Sequence, residues 1–554
     1  MSASRERKQR KELSSSLSDN DRRAAKKEKK SALQLKIWSV VFYVFIGLAV
    51  VGILAAALLN SGVLQRALPA VQVGEHSVSP AEMNFFYRDT VNNAMNSANS
   101  LLPYLIQKGV SLDEQVYNED QSWADYFLDA AVDNAKNTYA MYDAAVAAGF
   151  QLTEEQQQQM ETDLKNMEAY SAMYQFNSPS AMLRANYGTG CNMKNYTAYI
   201  NVQQLATAYA ANYLEGLEYD DAAIRAFDEE DPTAYNSYDY HTYMVRVEGY
   251  YPDDAGTEGE DGQKTYTEEE TKAAMEEAKK VADKMAADCK GDGELFTATA
   301  TELANEGKTD EQKTETTTLH EKTLKANMSG LPEDLINWLV DASRKTGETT
   351  VVANGQLGYY VAMYVGVHDN TDPTVNVRHI LIQAAADSQG DTATNAQAST
   401  AVQSTTTAAQ GKTPEEAKAE IEELKKEFEE NPTEDNFAKL ANEHSEDPGS
   451  NTNGGLYENV APGQMVANFN DWCFDESRKP GDVGIVETEN GYHLMYFVGN
   501  GEHNYRDTMI VNALTQKDYQ EWYDGITEPV IGEKKLGMRL VDKNIVLNSQ
   551  SSSN

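Results

Sequence analysis

Two apolar, strand-like runs and the glycine-rich segments between them decide the fold of this 554-residue chain. The first run is Val-Arg-His-Ile-Leu-Ile at residues 377–382, and the last is Gly-Tyr-His-Leu at residues 491–494. Between them stand Gly-Gly-Leu at 454–456 and Ala-Pro-Gly-Gln-Met at 461–465, followed by Phe469. A helix that starts here places that methionine and Phe469, four residues apart, on one face. The pattern predicts an α/β domain with one histidine on its first strand and another on its last.

These motifs resemble the parvulins, the family of small prolyl cis/trans isomerases. The resemblance implies catalysis of rotation about Xaa-Pro bonds, a reaction slow enough to limit protein folding. It covers residues 372–503, which include a polar insert at 384–412. Rotation about an amide bond requires neither a metal nor a cofactor, so we expect neither.

The resemblance also implies which residues form the site. The substrate-binding residues that it implies line an apolar pocket for the proline ring: Met465, Phe469 and Leu456. The catalytic residues that it implies form a hydrogen-bonded polar cluster beside this pocket: His379, Asp447, His493 and Asn490. Such a site lowers the barrier by binding the twisted amide better than the planar forms and by excluding water.

Each of these residues also has a simpler structural explanation. A single histidine beside apolar strand residues is usually a hydrogen-bonded core residue, and the methionine and phenylalanine alone would be core residues. Asp447 precedes Pro-Gly at 448–449 and would then cap a turn. The motif also departs from the parvulin pattern, with Tyr-Glu-Asn at 457–459 and with Asn490 where serine or threonine is common. These departures predict a reshaped pocket rim.

An internal repeat indicates a second copy of the same domain. Trp-Leu-Val-Asp at 338–341 matches Trp-Cys-Phe-Asp at 472–475, and Gly-Tyr-Tyr at 358–360 matches the later Gly-Tyr-His. Several features agree in order and spacing, which chance similarity does not explain. Residues 226–371 are therefore predicted to form another parvulin-like domain.

The first copy lacks much of the site. Tyr360 replaces the histidine of the last strand, and Leu331 and Leu335 stand near the methionine and phenylalanine positions. His241 is the candidate match for His379. One histidine does not make the site, so we predict that this copy is degenerate and noncatalytic.

The bulk composition excludes several functions. The formal net charge is −40, and beyond a basic N-terminus the chain is strongly acidic. Binding of nucleic acid requires a basic face against the phosphates, so nucleic acid is excluded as a partner. The cysteines at 191, 289 and 473 are widely spaced and form no CxxC pair, so neither a disulfide framework nor a zinc site is expected.

An uncharged run from Ile37 to Leu59 has the length of a transmembrane helix. Residues 1–36 hold 12 Lys/Arg against 5 Asp/Glu, which by the positive-inside rule keeps the N-terminus in the cytoplasm. A cleaved signal peptide is the alternative, but its apolar region would be only about 7–15 residues long. We therefore expect a single-pass cell-membrane protein with an extracytoplasmic body.

Residues 78–225 have a helical pattern, with a capping box beginning at Thr153. Val-Gln-Val-Gly at 71–74, followed by the helix start Ser-Pro-Ala-Glu at 79–82, is similar to the N-terminal domain of SurA/PrsA-type folding chaperones. That resemblance implies that the helical segment 504–546 packs back on this domain.

The predicted fold class is α+β, with a transmembrane helix, a helical chaperone domain and two parvulin-like α/β domains. The predicted segments are a basic cytoplasmic tail 1–36, a transmembrane helix 37–59, a linker 60–77, a helical domain 78–225, a degenerate parvulin-like domain 226–371, a parvulin domain 372–503, a C-terminal helical segment 504–546 and a disordered tail 547–554.

We therefore expect a membrane-anchored, extracytoplasmic foldase that holds unfolded or newly exported chains and isomerises their Xaa-Pro bonds. The first alternative is a noncatalytic, membrane-anchored chaperone with two inactive parvulin-like domains. The second is a hydrolase or metalloenzyme built on His379, Asp447 and His493. The sequence has neither the HExxH spacing nor the Gly-x-Ser-x-Gly motif that such enzymes use.

Overall fold

The computed structural model describes residues 3–15, 42, 44–46, 48–53, 56–97, 101–258, 264–309, 313, 319–385 and 412–547. The chain divides into two compact units. The helical unit comprises Met1–Gly216 and Tyr519–Asn554, and the sheet unit comprises Leu217–Asp518. The predicted disordered tail lies outside the described residues apart from its first residue.

The secondary structure alternates between helical and sheet regions. The described strands are β1 Val71–Val73, β2 His76–Val78, β3 Ser237–Arg246, β4 Thr257–Glu258, β5 Lys264–Thr265, β6 His320–Leu324, β7 Thr349–Ala353, β8 Gly358–His368, β9 Pro373–Gln383, β10 Leu456–Val460, β11 Val483–Thr488, β12 Gly491–Asn504 and β13 Gly532–Lys534. The described α-helices are Ala3–Ser15, Val63–Ala67, Pro80–Asn96, Leu102–Leu105, Trp123–Ala147, Glu154–Met173, Pro179–Tyr187, Met193–Glu215, Asp221–Glu230, Glu268–Asp288, Gly293–Ala304, Glu333–Leu339, Pro414–Glu430, Glu434–His444, Ala467–Cys473 and Tyr505–Thr527.

The helical unit packs its long helices around an aromatic core. Ser79 caps the helix Pro80–Asn96, because its side chain accepts a hydrogen bond from the backbone N–H of Glu82. This helix buries Phe86, whose ring stands edge-on to that of Tyr199 with 4.8 Å between the centroids. The predicted helix start at Ser79 is confirmed.

An early and a late segment of the chain meet in a small sheet of the helical unit. Its order is β13-β1-β2, and both pairings are antiparallel. Strand β1 and the first two residues of β2 lie within the segment 60–77 that the sequence predicted to be a linker. The late segment also supplies Trp522, whose ring stacks on that of Tyr213 with 4.0 Å between the centroids. The helical unit is therefore discontinuous in sequence.

The predicted transmembrane helix over residues 37–59 is wrong, and so is the membrane localisation that was inferred from it. Among the described residues, no helix is sufficiently long and apolar to cross a membrane. In this interval the structure describes helical residues at 42, 44–46, 48–53 and 56–59, and the other positions lie outside the described residues.

The sheet unit contains two four-stranded antiparallel sheets of the same strand order. The first sheet has the order β6-β3-β8-β7, and the second has the order β10-β9-β12-β11. Helix Glu268–Asp288 packs on the first sheet and helix Pro414–Glu430 packs on the second. Capping boxes at Thr267 and Thr413 start these helices, as predicted. The α+β class fits this architecture.

Alternation along β9 separates the two faces of the second sheet. Ile380 belongs to a core with helix Pro414–Glu430, whereas Val377 belongs to a different core with Phe469. Successive side chains of a strand point to opposite faces. His379 therefore lies on the face of Val377 and Phe469, and this face carries the candidate site.

The predicted polar insert of residues 384–412 lies mostly outside the described residues. Its two ends are described, and the backbone N–H of Ala385 donates to the carbonyl of Lys412 over 2.8 Å. The Lys412 ammonium group contacts the carboxylates of Glu420 and Glu446, each at 2.8 Å. Both ends of the insert are thus fixed to the second sheet domain.

Candidate functional site

Three polar residues from three different elements meet on the Phe469 face of the second sheet. His379 lies on β9, His493 lies on β12, and Asp447 lies in the loop after helix Glu434–His444. The Nδ1 atoms of the two histidines are 3.1 Å apart, and His379 Nε2 is 3.1 Å from Asp447 Oδ2. We call these three residues the polar cluster; they are three of the four predicted catalytic residues.

The direction of each hydrogen bond in the polar cluster follows from the carboxylate, which can only accept. His379 Nε2–H therefore donates to Asp447. With its proton on Nε2, His379 accepts at Nδ1 from His493 Nδ1–H. His493 Nε2 is then an acceptor, and the Thr488 hydroxyl, 2.8 Å away, donates to it. A single directional chain runs from Thr488 to Asp447. Thr488 was not predicted from the sequence.

Burial keeps His493 neutral. His379 and His493 are 2% and 4% exposed. Burial and the neighbouring His379 ring lower the pKa of His493 to about 3, although Asp447 acts in the opposite direction. A neutral His493 is a weak source of protons at neutral pH, so this residue is suited to shaping the site by hydrogen bonding.

Asp447 is held in its ionised form despite partial burial. Burial alone would raise the pKa of its carboxyl group, but hydrogen bonds from His379, Ser450 and Tyr457 lower it below the ordinary value. Tyr457 Oη lies 2.9 Å from Asp447 Oδ2, and the Ser450 hydroxyl donates to the same oxygen. Sequence reasoning missed both donors. The Asp-x-x-Ser spacing at 447–450, which is typical of a turn, was a usable signal for the serine.

Phe469 forms the apolar side of the site. It lies on helix Ala467–Cys473 and is 3% exposed. Its ring stands edge-on to both His379 and His493, with 5.4 Å between the centroids in each case. Met465 precedes this helix and packs, partly buried, against the same core. The structure thus brings two of the three predicted substrate-binding residues to the face of the polar cluster, and their binding role stays a prediction.

Leu456 lies on the other face of the second sheet. On β10 it pairs with Arg378, whereas the next residue, Tyr457, pairs with Val377. Because side chains alternate along a strand, Tyr457 rather than Leu456 shares the face of Val377. The Tyr457 ring lies 4.8 Å from the His379 ring, measured between centroids. The strand register, which the motif alone does not give, places the tyrosine at the site.

Asn490 lies in the tight turn between β11 and β12. Its backbone N–H donates to Thr488 Oγ1 over 3.2 Å, and its carbonyl accepts from the N–H of Ala384 over 3.4 Å. The side chain is exposed. Within the part of the chain that the structure describes, Asn490 does not join the polar cluster, and Thr488 makes the contact to His493 instead.

The first sheet carries different residues at the equivalent positions. The repeat aligns Ala362 with Met495, and these residues pair with Thr242 and His379 respectively. Thr242 therefore occupies the position of His379 in the first sheet. His241, the candidate match in the sequence, is one residue earlier and lies on the opposite face.

Large side chains fill the site face of the first sheet. Tyr238 and Tyr240 are almost fully buried there together with Leu335 and Leu339. Tyr360, at the position of His493, packs against the same core. This face therefore resembles an ordinary hydrophobic core rather than a pocket beside a polar cluster.

The described residues contain no group of three or more His, Cys, Asp or Glu side chains that is placed to hold a metal ion. Cys191, Cys289 and Cys473 are buried free thiols.

Comparison with known protein families gives one match for the second sheet domain. Residues 359–499, from β8 into β12, match the family described as the PPIC-type PPIase domain. This interval contains all seven predicted site residues.

Comparison with individual proteins gives relatives among bacterial foldases. Foldase protein PrsA 1 of Listeria innocua is 39% identical over 66 residues, which are 12% of this chain and 22% of the relative. Foldase protein PrsA of Geobacillus sp. (strain WCH70) is 44% identical over 62 residues, which are 11% of this chain and 22% of the relative. The match thus spans about a fifth of the length of these relatives. A solved structure of PrsA from Bacillus anthracis is 16% identical with a TM-score of 0.17, covering 46% of this chain and 86% of that chain.

Proposed function

Because the chain carries a parvulin-type, PrsA-like peptidyl-prolyl isomerase domain, we propose that the protein isomerises Xaa-Pro bonds in unfolded polypeptides. The recognition of this domain and of its enzyme class from the sequence is confirmed by the family match. The observation that carries the proposal for this chain is the buried polar cluster beside the Phe469 ring. A parvulin-like domain without isomerase activity would not need a polar cluster beside an aromatic ring.

The reaction requires little covalent chemistry from the protein. The barrier to rotation about a peptide bond is about 18–20 kcal/mol, because amide resonance must be lost. Any group that binds the twisted amide more tightly than the planar amide lowers this barrier. Removal of water contributes as well, because water stabilises the polar planar form. The site needs an apolar seat for the proline ring and fixed dipoles near the amide.

The second sheet offers both parts. The Phe469 ring and the Met465 side chain form an apolar wall on which a proline ring can pack. The polar cluster supplies fixed dipoles whose orientation is set by the chain of hydrogen bonds from Thr488 to Asp447. Because these dipoles are oriented before substrate binds, little reorganisation is needed as the amide twists.

We propose in addition that the helical unit holds unfolded polypeptides as a chaperone. Helix Glu154–Met173 packs only part of its surface, and exposed apolar side chains continue beyond its C-terminal end. Tyr170, Met173 and Tyr174 are 48%, 63% and 64% exposed. Adaptable apolar side chains on a surface suit the binding of many different unfolded segments.

Exchange NMR on a proline-containing peptide tests the isomerase proposal. The cis/trans exchange rate is measured with the whole protein and with Met465→Ala. The matched control is Leu331→Ala, because the repeat aligns Leu331 with Met465 and both side chains are partly buried beside equivalent cores. We expect faster exchange with the wild type and with Leu331→Ala, and a reduced rate with Met465→Ala.

Two outcomes would contradict the proposal. If the wild-type protein leaves the exchange rate at its uncatalysed value, the second domain binds without catalysis and the protein is a holdase. If Met465→Ala and Leu331→Ala reduce the rate equally, the effect comes from general destabilisation rather than from the site.

A further inference from the structure

We infer that Tyr457 joins the two halves of the site, because its ring forms a wall of the proline seat and its hydroxyl fixes Asp447. This inference rests on the proposed isomerase function. It assigns to Tyr457 the pocket position that the sequence motif suggested for Leu456. The assignment depends on ring contacts, on one hydrogen bond and on an irregularity of β10.

The ring of Tyr457 faces the same space as the other site rings. Its centroid lies 4.8 Å from that of His379 and 6.4 Å from that of Phe469. The ring is half-buried, so part of it remains available to a ligand. The rings of Tyr457, His379 and Phe469 thus surround one common space. Aromatic-lined grooves are a common way to recognise proline rings.

The hydroxyl of Tyr457 reaches the polar cluster from the same position. It donates to Asp447 Oδ2 over 2.9 Å. Burial and the charge of Asp447 raise the pKa of Tyr457 well above its usual range, so the phenol stays a protonated donor. A Cβ atom on Gly449 would lie 3.3 Å from this hydroxyl, so the glycine leaves room for it.

An irregularity in β10 directly follows Tyr457. The pairing of β10 with β9 shifts register between Tyr457 and Val460. Within this shift Asn459 adopts a left-handed backbone with φ of 52°, and its N–H donates to Asn376 Oδ1 over 2.7 Å. Bulges commonly re-aim side chains beside functional sites. Here the bulge immediately follows the residue that links the apolar wall to the polar cluster.

The two parts of Tyr457 have separable effects on catalysis. The ring contributes to binding of the proline side chain, so its removal should raise KM. The hydroxyl orients Asp447 and stabilises its ionised form, so its removal should lower kcat with little change in KM. The pKa of Asp447 should rise when this donor is lost, because each hydrogen bond to the carboxylate lowers that pKa. His379 and Ser450 remain as its side-chain donors.

Two substitutions and one control test these effects in the full chain. Tyr457→Phe removes the hydroxyl alone, and Tyr457→Leu removes the ring as well. Tyr492→Phe is the control, because Tyr492 lies on the other face of the second sheet and is paired across the strands with a residue that carries a carboxylate, Glu487. Peptide exchange rates give kcat and KM, and NMR of the Asp447 carboxyl carbon gives its pKa.

We expect Tyr457→Phe to lower kcat about tenfold, the size of effect that loss of one hydrogen bond to a charged group produces. KM should stay within about twofold of wild type in this variant and rise several-fold in Tyr457→Leu. The Asp447 pKa should rise in both variants and stay constant in Tyr492→Phe. Wild-type kcat and KM in both Tyr457 variants would overturn the inference.

The NMR measurement separates this inference from the proposed function. If the wild-type protein lacks isomerase activity, the proposed function fails, but the pKa of Asp447 still reports whether the hydroxyl supports the carboxylate. If the protein is active and Tyr457→Phe leaves that pKa unchanged, the positioning role of Tyr457 is wrong. Equal losses of activity in Tyr457→Phe and Tyr492→Phe would also overturn it.

Discussion

The two sheets of the sheet unit share one strand order but differ in what they place on the same face. The first sheet buries Tyr238, Tyr240 and leucine side chains there, and the second sheet carries the polar cluster and Phe469. The strand order alone therefore does not create a candidate site. A few side chains at fixed registers make it, while the surrounding strands and helices serve both sheets equally well.

The histidines of the two sheets show how much one residue of register matters. His241 on β3 and His379 on β9 look equivalent in the sequence, but His241 lies one position earlier relative to the repeat. A shift by one residue moves a strand side chain to the opposite face of the sheet. A histidine in the right strand is thus not sufficient, and Thr242 stands where the second sheet has His379.

The largest expected difference between the sheets concerns the aromatic wall. Phe469→Ala should reduce kcat/KM about 100-fold, because the proline ring loses its main apolar contact. The repeat aligns Leu335 with Phe469, and both are buried, so Leu335→Ala is the matched control. Both substitutions should cost about 2–5 kcal/mol in the free energy of unfolding. Peptide exchange rates at a temperature where both variants stay folded measure the difference, and equal losses of kcat/KM would remove the distinction between the sheets.

A smaller effect is expected from the carboxylate of the polar cluster. Asp447→Asn removes the charge that His379, Ser450 and Tyr457 surround with donors, so kcat should fall about tenfold. Asp475→Asn changes an exposed carboxylate that caps a turn in the same domain and should leave kcat unchanged. The two variants are compared by exchange NMR. Wild-type kcat in Asp447→Asn would assign this residue to a turn cap alone.

A pH dependence of stability should distinguish His493 from Tyr360. An unfolded chain protonates a histidine near pH 6.5, whereas folded His493 has a pKa of about 3. Between about pH 6.5 and about pH 3 the unfolded state therefore binds a proton that the folded state does not bind. The contribution of His493 to the free energy of unfolding is complete above about pH 6.5 and is lost as pH falls to about 3. His493→Gln should flatten the free energy of unfolding between these values.

Tyr360→Phe provides the comparison for the first sheet. The substitution changes neither a carboxyl nor an imidazole group, so it should leave the slope of stability against pH unchanged. Denaturant unfolding at a series of pH values measures both variants. A wild-type slope in His493→Gln would mean that His493 is not held neutral by its surroundings.

The smallest effect is expected from the turn of the second sheet. Asn490→Ala removes an exposed side chain, so kcat/KM should stay within about twofold of wild type. Thr488→Val is the variant for comparison, because it removes the hydroxyl that donates to His493 Nε2. Exchange NMR compares them. A large loss in Asn490→Ala would restore the predicted catalytic role of this residue.

Local signals in the sequence predicted much of the fold. The caps at Ser79, Thr153, Thr267 and Thr413 each start a helix as expected, because capping depends on a few neighbouring residues. The two histidine-bearing strands are also where the apolar runs placed them. The predicted transmembrane helix is wrong, because no helix within the described ranges is sufficiently long and apolar to cross a membrane.

The candidate site was predictable in part for the same reason. The motif indicated His379, Asp447, His493, Met465 and Phe469, and the structure gathers them on one face. It did not indicate that Tyr457 replaces Leu456 at that face, because the choice depends on a long-range pairing with β9 and on the bulge beside it. The donors Ser450 and Thr488 were missed although their partners Asp447 and His493 are only three and five residues away, because a hydroxyl in a turn usually caps that turn.

The hydrogen bond between Ala385 and Lys412 has a practical consequence for protein engineering. It joins the two ends of the insert, so both ends are held next to each other at the second sheet. Lengthening such a loop costs little, about 0.6 kcal/mol for each doubling. An affinity tag or a fluorescent reporter placed between these two residues should leave the catalytic domain folded, which offers a way to observe the protein at work.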